Sequence, residues 1–307
     1  MNLLDFIKLV RPVHWIKNIS LFAALVFTQG LLVPSLFMKV FWAFWAFSLA
    51  ASATYAFNDT LDSKRDSEHL IKKNRPIARG AISRKQGLFF SFTLATVSLL
   101  WAHTISPIFF ILVALYLVIQ IGYSLLLKNF HIVDILLIAA GFVIRVYAGA
   151  FVLNAHLSVW FLLSVLSVAL FLAAGKRRAE LGVMGEGGGT RSTLSQYPKE
   201  LLNSYVTMFG NAAWMSWSLF TFFESPRISQ QFWLFLAELS RTASVGKLLM
   251  VTIPVTIYIV MRYQSLIFED RTEAPEKVLL TDFSLMGGIF LWAVLVLVIL
   301  YGGISSF

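Results

Sequence analysis

Long apolar segments separated by short polar ones are the main pattern of this chain. A transmembrane helix needs about 20 mostly apolar residues, and runs that approach or reach this length recur from one end of the sequence to the other. The predicted spans are 19–33, 36–57, 88–101, 108–127, 133–152, 159–174, 201–223, 248–261 and 283–301. Apart from closed barrels, only helices satisfy their own backbone within a bilayer. We therefore predict an all-α polytopic membrane protein with nine transmembrane helices, forming a single domain over residues 1–307.

The composition agrees with this pattern. Of the 307 residues, 58% are hydrophobic and only 13% are charged, about half the share of charged residues in a soluble domain. The net charge of +9 would suit a nucleic-acid partner only with a soluble basic face, which these segments do not provide, so we predict no such partner. The chain has no cysteine, which excludes disulfides and thiolate metal sites.

The distribution of basic residues predicts the topology. With the N-terminus inside, the nine spans place twenty of the 25 Lys and Arg residues on the cytoplasmic side. Such an excess is the positive-inside signal. We expect a multi-pass protein of the plasma (inner) membrane, whose N-terminus and two main polar loops, about 58–86 and 175–199, face the cytoplasm.

One acidic stretch directly follows the apolar run that ends at Phe57. Asp59, Asp62 and Asp66 are spaced three and four residues apart, so a continuing helix places them on one face. Three carboxylates this close repel one another unless a cation lies between them. Carboxylate oxygens together with substrate phosphates suit Mg²⁺, and we predict a Mg²⁺–diphosphate site here. The alternative is a solvated helix end whose acids pair with Lys64, Arg65, Lys72 and Lys73.

A second group of polar residues lies around the fourth and fifth spans. Tyr123 and Lys128 come just before Asp134, and Arg145 follows eleven residues later. Eleven residues at about 100° each return to nearly the same helix face, about 16 Å farther along the axis. A charged side chain within a span is costly and commonly functional. A functional role is our prediction for Arg145, and the alternative is a structural ion pair inside the bundle, with Asp134 as a candidate partner through a neighbouring residue.

Basic residues near the predicted helix ends are further candidates for phosphate binding. Lys176 and Arg177 follow the sixth span, Arg75 lies in the first polar loop, and Lys17 precedes the first span. Guanidinium and ammonium groups are the usual partners of phosphate. Each also has a simpler explanation than phosphate binding. Cations gather at cytoplasmic helix ends, and the Lys17 side chain could extend to the membrane surface. Lys176 could pair with Glu180 on the helix surface.

These motifs resemble those of a known family. Asn58-Asp59-x-x-Asp62-x-x-x-Asp66, followed by Arg75-Pro76-Ile77-Ala78-Arg79-Gly80, is similar to the UbiA superfamily of intramembrane prenyltransferases. The resemblance implies nine helices around a central cavity open to the cytoplasmic side. It also implies Mg²⁺ held by Asn58, Asp59, Asp62 and Asp66. The aspartate pair that typical members carry after the sixth helix is absent, and Lys176-Arg177-Arg178-Ala179-Glu180 stands in its place.

That difference is typical of one branch, the decaprenyl-phosphate phosphoribosyltransferases. Tyr123, Lys128, Asp134, Arg145 and the Lys-Arg-x-Ala-Glu-Leu motif all resemble this branch. The resemblance implies transfer of 5-phosphoribose from phosphoribosyl diphosphate to a polyprenyl phosphate. The residues it implies at the phosphates of the two substrates are Lys17, Lys64, Arg65, Arg75, Lys128, Arg145, Lys176, Arg177 and Glu180. The alternatives are an ordinary prenyltransferase with an aromatic acceptor, and a transporter with pathway charges at Asp134 and Arg145.

Overall fold

The computed structural model describes residues 3–68, 72–184, 197–226, 245–269 and 281–302. Within these residues the chain is helical and contains no strand, so the predicted all-α class is confirmed. The α-helices are α1 (Leu3–Val10), α2 (Ala23–Phe27), α3 (Pro34–Ser67), α4 (Arg84–Ile105), α5 (Pro107–Leu125), α6 (Val133–Val152), α7 (Val159–Met184), α8 (Lys199–Phe223), α9 (Ile253–Phe268) and α10 (Phe283–Tyr301). Segments of 3₁₀ helix cover Pro12–Phe22, Lys72–Asn74, Leu127–Asn129 and Val245–Thr252.

Seven helices of the described residues are long and apolar enough to cross a membrane. They are α3 to α7, α9 with the 3₁₀ turn before it, and α10. The predicted span 201–223 lies in α8, where polar side chains such as Asn203 and Asn211 lower the hydropathy. The predicted span 19–33 begins in the 3₁₀ segment Pro12–Phe22 and continues as the short helix α2. A membrane protein with several spans is therefore confirmed, and the count of nine stays a prediction.

Several helices extend beyond the predicted spans, and α3 and α7 extend farthest, by ten residues at their C-terminal ends. α3 is continuous for 34 residues, about 50 Å at 1.5 Å per residue, because no Gly or Pro follows Pro34 within it. α7 likewise continues to Met184. The first ten residues of each predicted polar segment, 58–67 and 175–184, are therefore helical. For 58–67 this agrees with the continuing helix expected for the acidic face, and the cytoplasmic location of both segments stays a prediction. Residues 69–71 and 185–196 of these segments lie outside the described residues.

The described contacts group the helices into two compact units. The first contains α1, the Pro12–Phe22 segment and α3 to α6. Its core is lined by small residues of α3, including Ala46, Ala50 and Ala53. Such residues let helices approach closely, and α4 uses this proximity: Ser98 donates to the Ala46 carbonyl at 2.7 Å and Ser91 to the Ala53 carbonyl at 2.7 Å.

α6 contacts the Pro12–Phe22 segment at a glycine that has no room for a side chain. A Cβ on Gly149 would lie 1.9 Å from the carbonyl oxygen of Leu21. Because backbone atoms on both sides would have to move, we expect Gly149→Ala to destabilise the protein by about 3 kcal/mol, measured as a lower midpoint of thermal unfolding in detergent. Gly287→Ala is the matched control, since no atom lies within 4 Å of its added Cβ. Equal midpoints for the two variants would contradict the close contact.

The second unit contains α7 to α10. Its core packs Phe171 of α7 against Tyr263 of α9, with ring centroids 5.0 Å apart. Trp217 of α8 donates from its indole nitrogen to the Thr252 hydroxyl at 2.9 Å. The second unit is thus held by aromatic packing together with a few buried polar contacts. The prediction of a single domain over 1–307 concerns both units together and stays a prediction.

An ion pair at the start of α10 makes the stability of the second unit depend on pH. Arg262 lies 2.6 and 3.1 Å from the two carboxylate oxygens of Asp282, which also accepts the Leu285 amide at 2.7 Å. The hydrogen bond from Arg262, and then the backbone amides, lower the pKa of Asp282 from its ordinary value of 3.8. Folding therefore favours the charged form, and this stabilisation is lost as the pH falls through the lowered pKa.

We expect Asp282→Asn to lower the unfolding temperature at pH 7. The difference from the unsubstituted protein should shrink below about pH 4, where Asp282 becomes protonated in the unfolded chain. Asparagine can still cap α10, so the variant isolates the effect of the charge. In an Arg262→Met background the same substitution should have little effect. A difference that stays constant from pH 7 to pH 3 would contradict this assignment.

Candidate active site

The acidic face predicted from the sequence is present at the end of α3. Asp59 and Asp66 are seven residues apart on this helix, and only 2% and 4% of their surfaces are exposed. Asp62 lies between them, and Asn58 is half-buried. Lys64 and Arg65 are exposed. The structure thus brings the three acids together, and the predicted phosphate roles of Lys64 and Arg65 stay predictions.

Arg75 joins two of the acids. Its Nη1 atom lies 3.0 Å from Oδ1 of Asp59 and 2.6 Å from Oδ2 of Asp66. The loop that carries Arg75 is fixed because Ile77 is buried against Leu9. The loop then turns at Gly80, which has φ of +79°, a conformation that favours glycine. Apolar packing of this loop thus positions the Arg75 guanidinium beside the acids of α3.

Asp59 has a second basic partner, Arg11. Nη2 of Arg11 lies 2.6 and 2.8 Å from the two carboxylate oxygens of Asp59. Its guanidinium carbon lies 5.4 Å from the centroid of the Tyr55 ring, close enough for a cation–π interaction. Arg11 is not among the site residues predicted from the sequence. The two partners are 48 residues apart, so no local pattern indicates the pair.

Lys128 completes the set of ion pairs. Its Nζ lies 2.7 Å from Oδ1 of Asp62, and the two side chains are 8% and 16% exposed. Lys128 belongs to the 3₁₀ turn between α5 and α6, which places an ammonium group beside α3. Among the described residues the ion pairs of the three acids therefore run to Arg11, Arg75 and Lys128. These partners differ from those of the alternative, a solvated helix end whose acids pair with Lys64, Arg65, Lys72 and Lys73.

Asp134 is held by a tyrosine that the sequence analysis missed. Asp134 is 2% exposed at the start of α6, and the Tyr197 hydroxyl donates to its Oδ1 at 2.8 Å. The same hydroxyl accepts a hydrogen bond from the backbone amide of Ile132. Tyr197 and Asp134 are 63 residues apart, and nothing local in the sequence links them. Tyr123 is half-buried in the last turn of α5. Its role in substrate binding stays a prediction.

Arg145 is buried at 4% exposure within α6. Its Nε donates to Oδ1 of Asn18 at 2.6 Å, Nη2 donates to the Tyr116 hydroxyl at 3.0 Å, and Nη1 donates to the Gly141 carbonyl. Within the described residues the partners of Arg145 are an amide, a hydroxyl and a carbonyl, so the structural ion pair given above as the alternative is not found among them. Arg145 instead joins α5, α6 and the Pro12–Phe22 segment, and its predicted contact with phosphate stays a prediction.

The remaining candidates are Lys17, Lys176, Arg177 and Glu180. In the second unit, Arg177 is 1% exposed in its side chain and donates to Glu180, three residues later. Glu180 therefore pairs with Arg177, whereas the simpler explanation given above expected Lys176. Lys176 is half-buried on α7, and Lys17 is half-buried in the first unit. Arg178, not predicted for the site, donates to Oδ1 of Asn203 at 2.6 Å.

The acidic face fits a divalent ion by the type of its donors. Oxygens of Asp59 and Asp66 converge on one cationic nitrogen of Arg75, and hard carboxylate oxygens are the protein ligands that Mg²⁺ takes. Among the residues described, no group of three His, Asp or Glu side chains is arranged to hold a metal, and basic side chains contact each of the three acids. A metal would therefore bind here by replacing a cation of the protein.

Fold and site together define a polytopic helical membrane protein with a buried cluster of acids and bases at the end of its longest helix. A model of the UbiA prenyltransferase family matches residues 18–176. A decaprenyl-phosphate phosphoribosyltransferase of Corynebacterium glutamicum is 30% identical, with 98% of this chain and 88% of that protein covered. The enzyme of the same name from Mycobacterium tuberculosis H37Rv is 34% identical, with coverage of 70% and 73%.

The fold has solved counterparts. A UbiA homologue from Archaeoglobus fulgidus, solved with GPP and Mg²⁺, superposes with a TM-score of 0.65 at 16% identity, covering 98% of this chain and all of that one. The chain therefore belongs to the UbiA family and is a transferase of that family. The family and the class of enzyme predicted from the motifs are both confirmed.

Proposed function

We propose that this transferase moves 5-phosphoribose from phosphoribosyl diphosphate to a polyprenyl phosphate of decaprenyl type, releasing diphosphate, with Mg²⁺ as its cofactor. The observation that carries the proposal is the cluster in which each of three carboxylates contacts a basic side chain. A reaction between two phosphorylated substrates needs both kinds of group. The names of the relatives, one of which matches 98% of the chain, support the same activity.

The acids would hold the metal. Asn58, Asp59, Asp62 and Asp66 are the proposed ligands of Mg²⁺, which when bound neutralises the charge that grows on the departing diphosphate. Homologous folds solved with Mg²⁺ support the use of a divalent ion in this family. Arg75 and Lys128 lie beside these acids and are the proposed contacts of the diphosphate oxygens.

The basic residues would reduce the repulsion between the phosphate groups of the two substrates. The attacking phosphate of the lipid is already an anion, so no strong general base is required, but it must approach other phosphates. Cations lower that repulsion and stabilise the transition state. The residues proposed for the lipid phosphate and for the 5-phosphate of ribose are Lys17, Tyr123, Lys128, Asp134, Arg145, Lys176, Arg177 and Glu180, with Lys64 and Arg65 at the diphosphate. A central cavity open to the cytoplasm, where both substrates would meet, is part of the proposal.

Prenyl transfer to an aromatic acceptor is the second candidate. A protoheme IX farnesyltransferase of Tropheryma whipplei is 39% identical, but only over 54 residues, 18% of this chain. This alternative leaves unexplained why Lys176-Arg177-Arg178-Ala179-Glu180 stands where typical members carry aspartates.

A labelling experiment decides between the two. Purified protein is given phosphoribosyl diphosphate labelled in the ribose, a polyprenyl phosphate and Mg²⁺, and lipids are extracted into organic solvent. We expect the label in the lipid phase, and its loss when Mg²⁺ is chelated. Labelled prenyl diphosphate with an aromatic acceptor is the parallel reaction. Transfer only in that second reaction would overturn the proposal in favour of prenyl transfer.

The proposed location is the plasma (inner) membrane, with the N-terminus and the segments 58–86 and 175–199 in the cytoplasm. Because the chain has no cysteine, single cysteines report on sidedness without background. Ser67→Cys, at the exposed end of α3, should resist an impermeant maleimide on intact cells and react after lysis. Labelling of this position on intact cells would reverse the orientation.

A further inference from the structure

The charges of the acidic cluster are already balanced without a metal. Asp59, Asp62 and Asp66 face three basic side chains, and Asp59 alone contacts two of them, Arg11 and Arg75. The Asp59 side chain is only 3% exposed, and a buried carboxylate is costly unless it is paired. Any cation that binds Asp59 must therefore compete with a guanidinium that is already there.

Hydrogen bonds and apolar packing hold the chain on both sides of Arg11 against α3. Leu9 is fully buried against Ala56 and Ile77. The Ser52 hydroxyl lies 2.9 Å from the Val10 carbonyl and accepts from the Trp15 indole nitrogen, also at 2.9 Å. These contacts hold the positions before and after residue 11, so the location of its Cα is fixed. The freedom that remains at Arg11 is that of its long side chain, which is 19% exposed.

The Arg11 side chain blocks the oxygens that a metal would use. One nitrogen of Arg11 contacts both carboxylate oxygens of Asp59, at 2.6 and 2.8 Å. A divalent ion at Asp59 would place two further positive charges beside this guanidinium, which would be repelled. Because the backbone of Arg11 is held, the released side chain stays within reach of Asp59. Its rigid fork of five N–H donors suits a phosphate group, and the diphosphate on the same metal would be the nearest anion.

We propose that Arg11 is a diphosphate-binding residue that occupies Asp59 in the empty site and transfers to the diphosphate when the metal binds. This inference rests on the proposed Mg²⁺–diphosphate site. It adds Arg11 to that site, together with the movement of the Arg11 side chain from Asp59 to the diphosphate. It predicts effects of opposite sign: loss of the Arg11 charge strengthens binding of the metal alone and weakens binding of diphosphate to the metal-loaded protein. A purely structural ion pair would not produce this reversal.

The test uses Arg11→Asn in the full chain. Asparagine removes the charge and tolerates the left-handed backbone that residue 11 adopts, with φ of 55°. Mn²⁺ serves as the probe for the metal site, and free Mn²⁺ is measured by electron paramagnetic resonance in titrations of the purified protein. Inorganic pyrophosphate is then titrated at saturating Mn²⁺. The unfolding temperature of each variant is recorded first, to show that it folds.

The expected changes are about tenfold in each direction, because removing a hydrogen bond between two charged groups has an effect of at least this size. Mn²⁺ alone should bind about tenfold more tightly to Arg11→Asn, and pyrophosphate about tenfold more weakly. Arg11→Lys keeps the charge and should return both affinities toward those of the unsubstituted protein. Lys85→Asn is the matched control for removing a cation. Lys85 is exposed and has no ion pair among the residues that the structure describes, and both affinities should be unchanged.

The outcomes separate this inference from the proposed function. If the unsubstituted protein binds Mn²⁺ and pyrophosphate and Arg11→Asn does the same with equal affinity, the exchange is overturned and the Mg²⁺ site stands. Weaker Mn²⁺ binding by Arg11→Asn also overturns it, since Arg11 would then support the metal. If the unsubstituted protein binds neither probe, the proposed metal–diphosphate site fails together with this inference.

Discussion

Asp62→Asn is expected to reduce metal-dependent transfer of phosphoribose by about 10²–10³-fold, since loss of a ligand to a charge-neutralising metal removes several kcal/mol of transition-state stabilisation. Asp62 is the middle acid of the α3 face, and its carboxylate contacts Lys128 at 2.7 Å. Asparagine has nearly the same shape and can still accept this hydrogen bond. The substitution therefore removes one negative charge while the described contacts of α3 stay in place.

The measurement is the initial rate of lipid labelling at saturating substrates, across a range of Mg²⁺ concentrations, together with the unfolding temperature. We expect a moderate fall in the unfolding temperature, because Lys128 loses its charged partner. The protein should still fold, because the core contacts of α3 lie N-terminal to Asp62, around Ala46, Ala50 and Ala53. Glu68→Gln is the matched control, since Glu68 directly follows α3 and is exposed. Full activity in both Asp62→Asn and Asp59→Asn would remove the Mg²⁺ proposal. A transporter with pathway charges would also retain its activity in these variants.

Lys128→Met is expected to lower kcat/KM for phosphoribosyl diphosphate by about 10²-fold, the usual effect of removing one electrostatic contact from an active site. Lys128 is the ammonium group beside Asp62, and its side chain is 8% exposed. Water therefore screens its charge poorly, and its interactions are stronger than those of a surface lysine. Methionine keeps most of the volume and apolar stem of lysine, so the variant tests the charge.

Lys128→Arg should retain much more activity than Lys128→Met, because it preserves the positive charge within reach of Asp62. The comparison uses kcat and KM for each substrate separately, with Mg²⁺ saturating. A rise in KM for phosphoribosyl diphosphate alone would assign Lys128 to the donor, and a rise for the lipid phosphate alone would assign it to the acceptor. Equal kinetics for Lys128→Met and the unsubstituted protein would show that Lys128 serves only to neutralise Asp62.

Where the sequence predicted well, the signal was local. Apolar runs near 88–101 and 108–127 became α4 and α5, because burial in lipid depends on the residues of each segment alone. The common face of Asp59, Asp62 and Asp66 followed from the period of the helix in the same way. Local hydropathy predicted less well where polar residues extend a helix, as beyond residue 57 in α3 and beyond residue 174 in α7.

By itself, the sequence determined the class of protein, most of its spans, its family and the acidic face, since each of these is recorded in neighbouring residues or in a contiguous motif. Only the tertiary structure decided which cations meet those acids. Asp59 pairs with a residue 48 positions away and Asp62 with one 66 positions away, while Lys64 and Arg65, adjacent in sequence, are exposed. Arg145 likewise meets Asn18 across 127 positions. Spacing cannot identify such partners, because Coulomb attraction and hydrogen bonding act through space, and many cations in this chain could satisfy the same carboxylates until packing fixes which ones reach them.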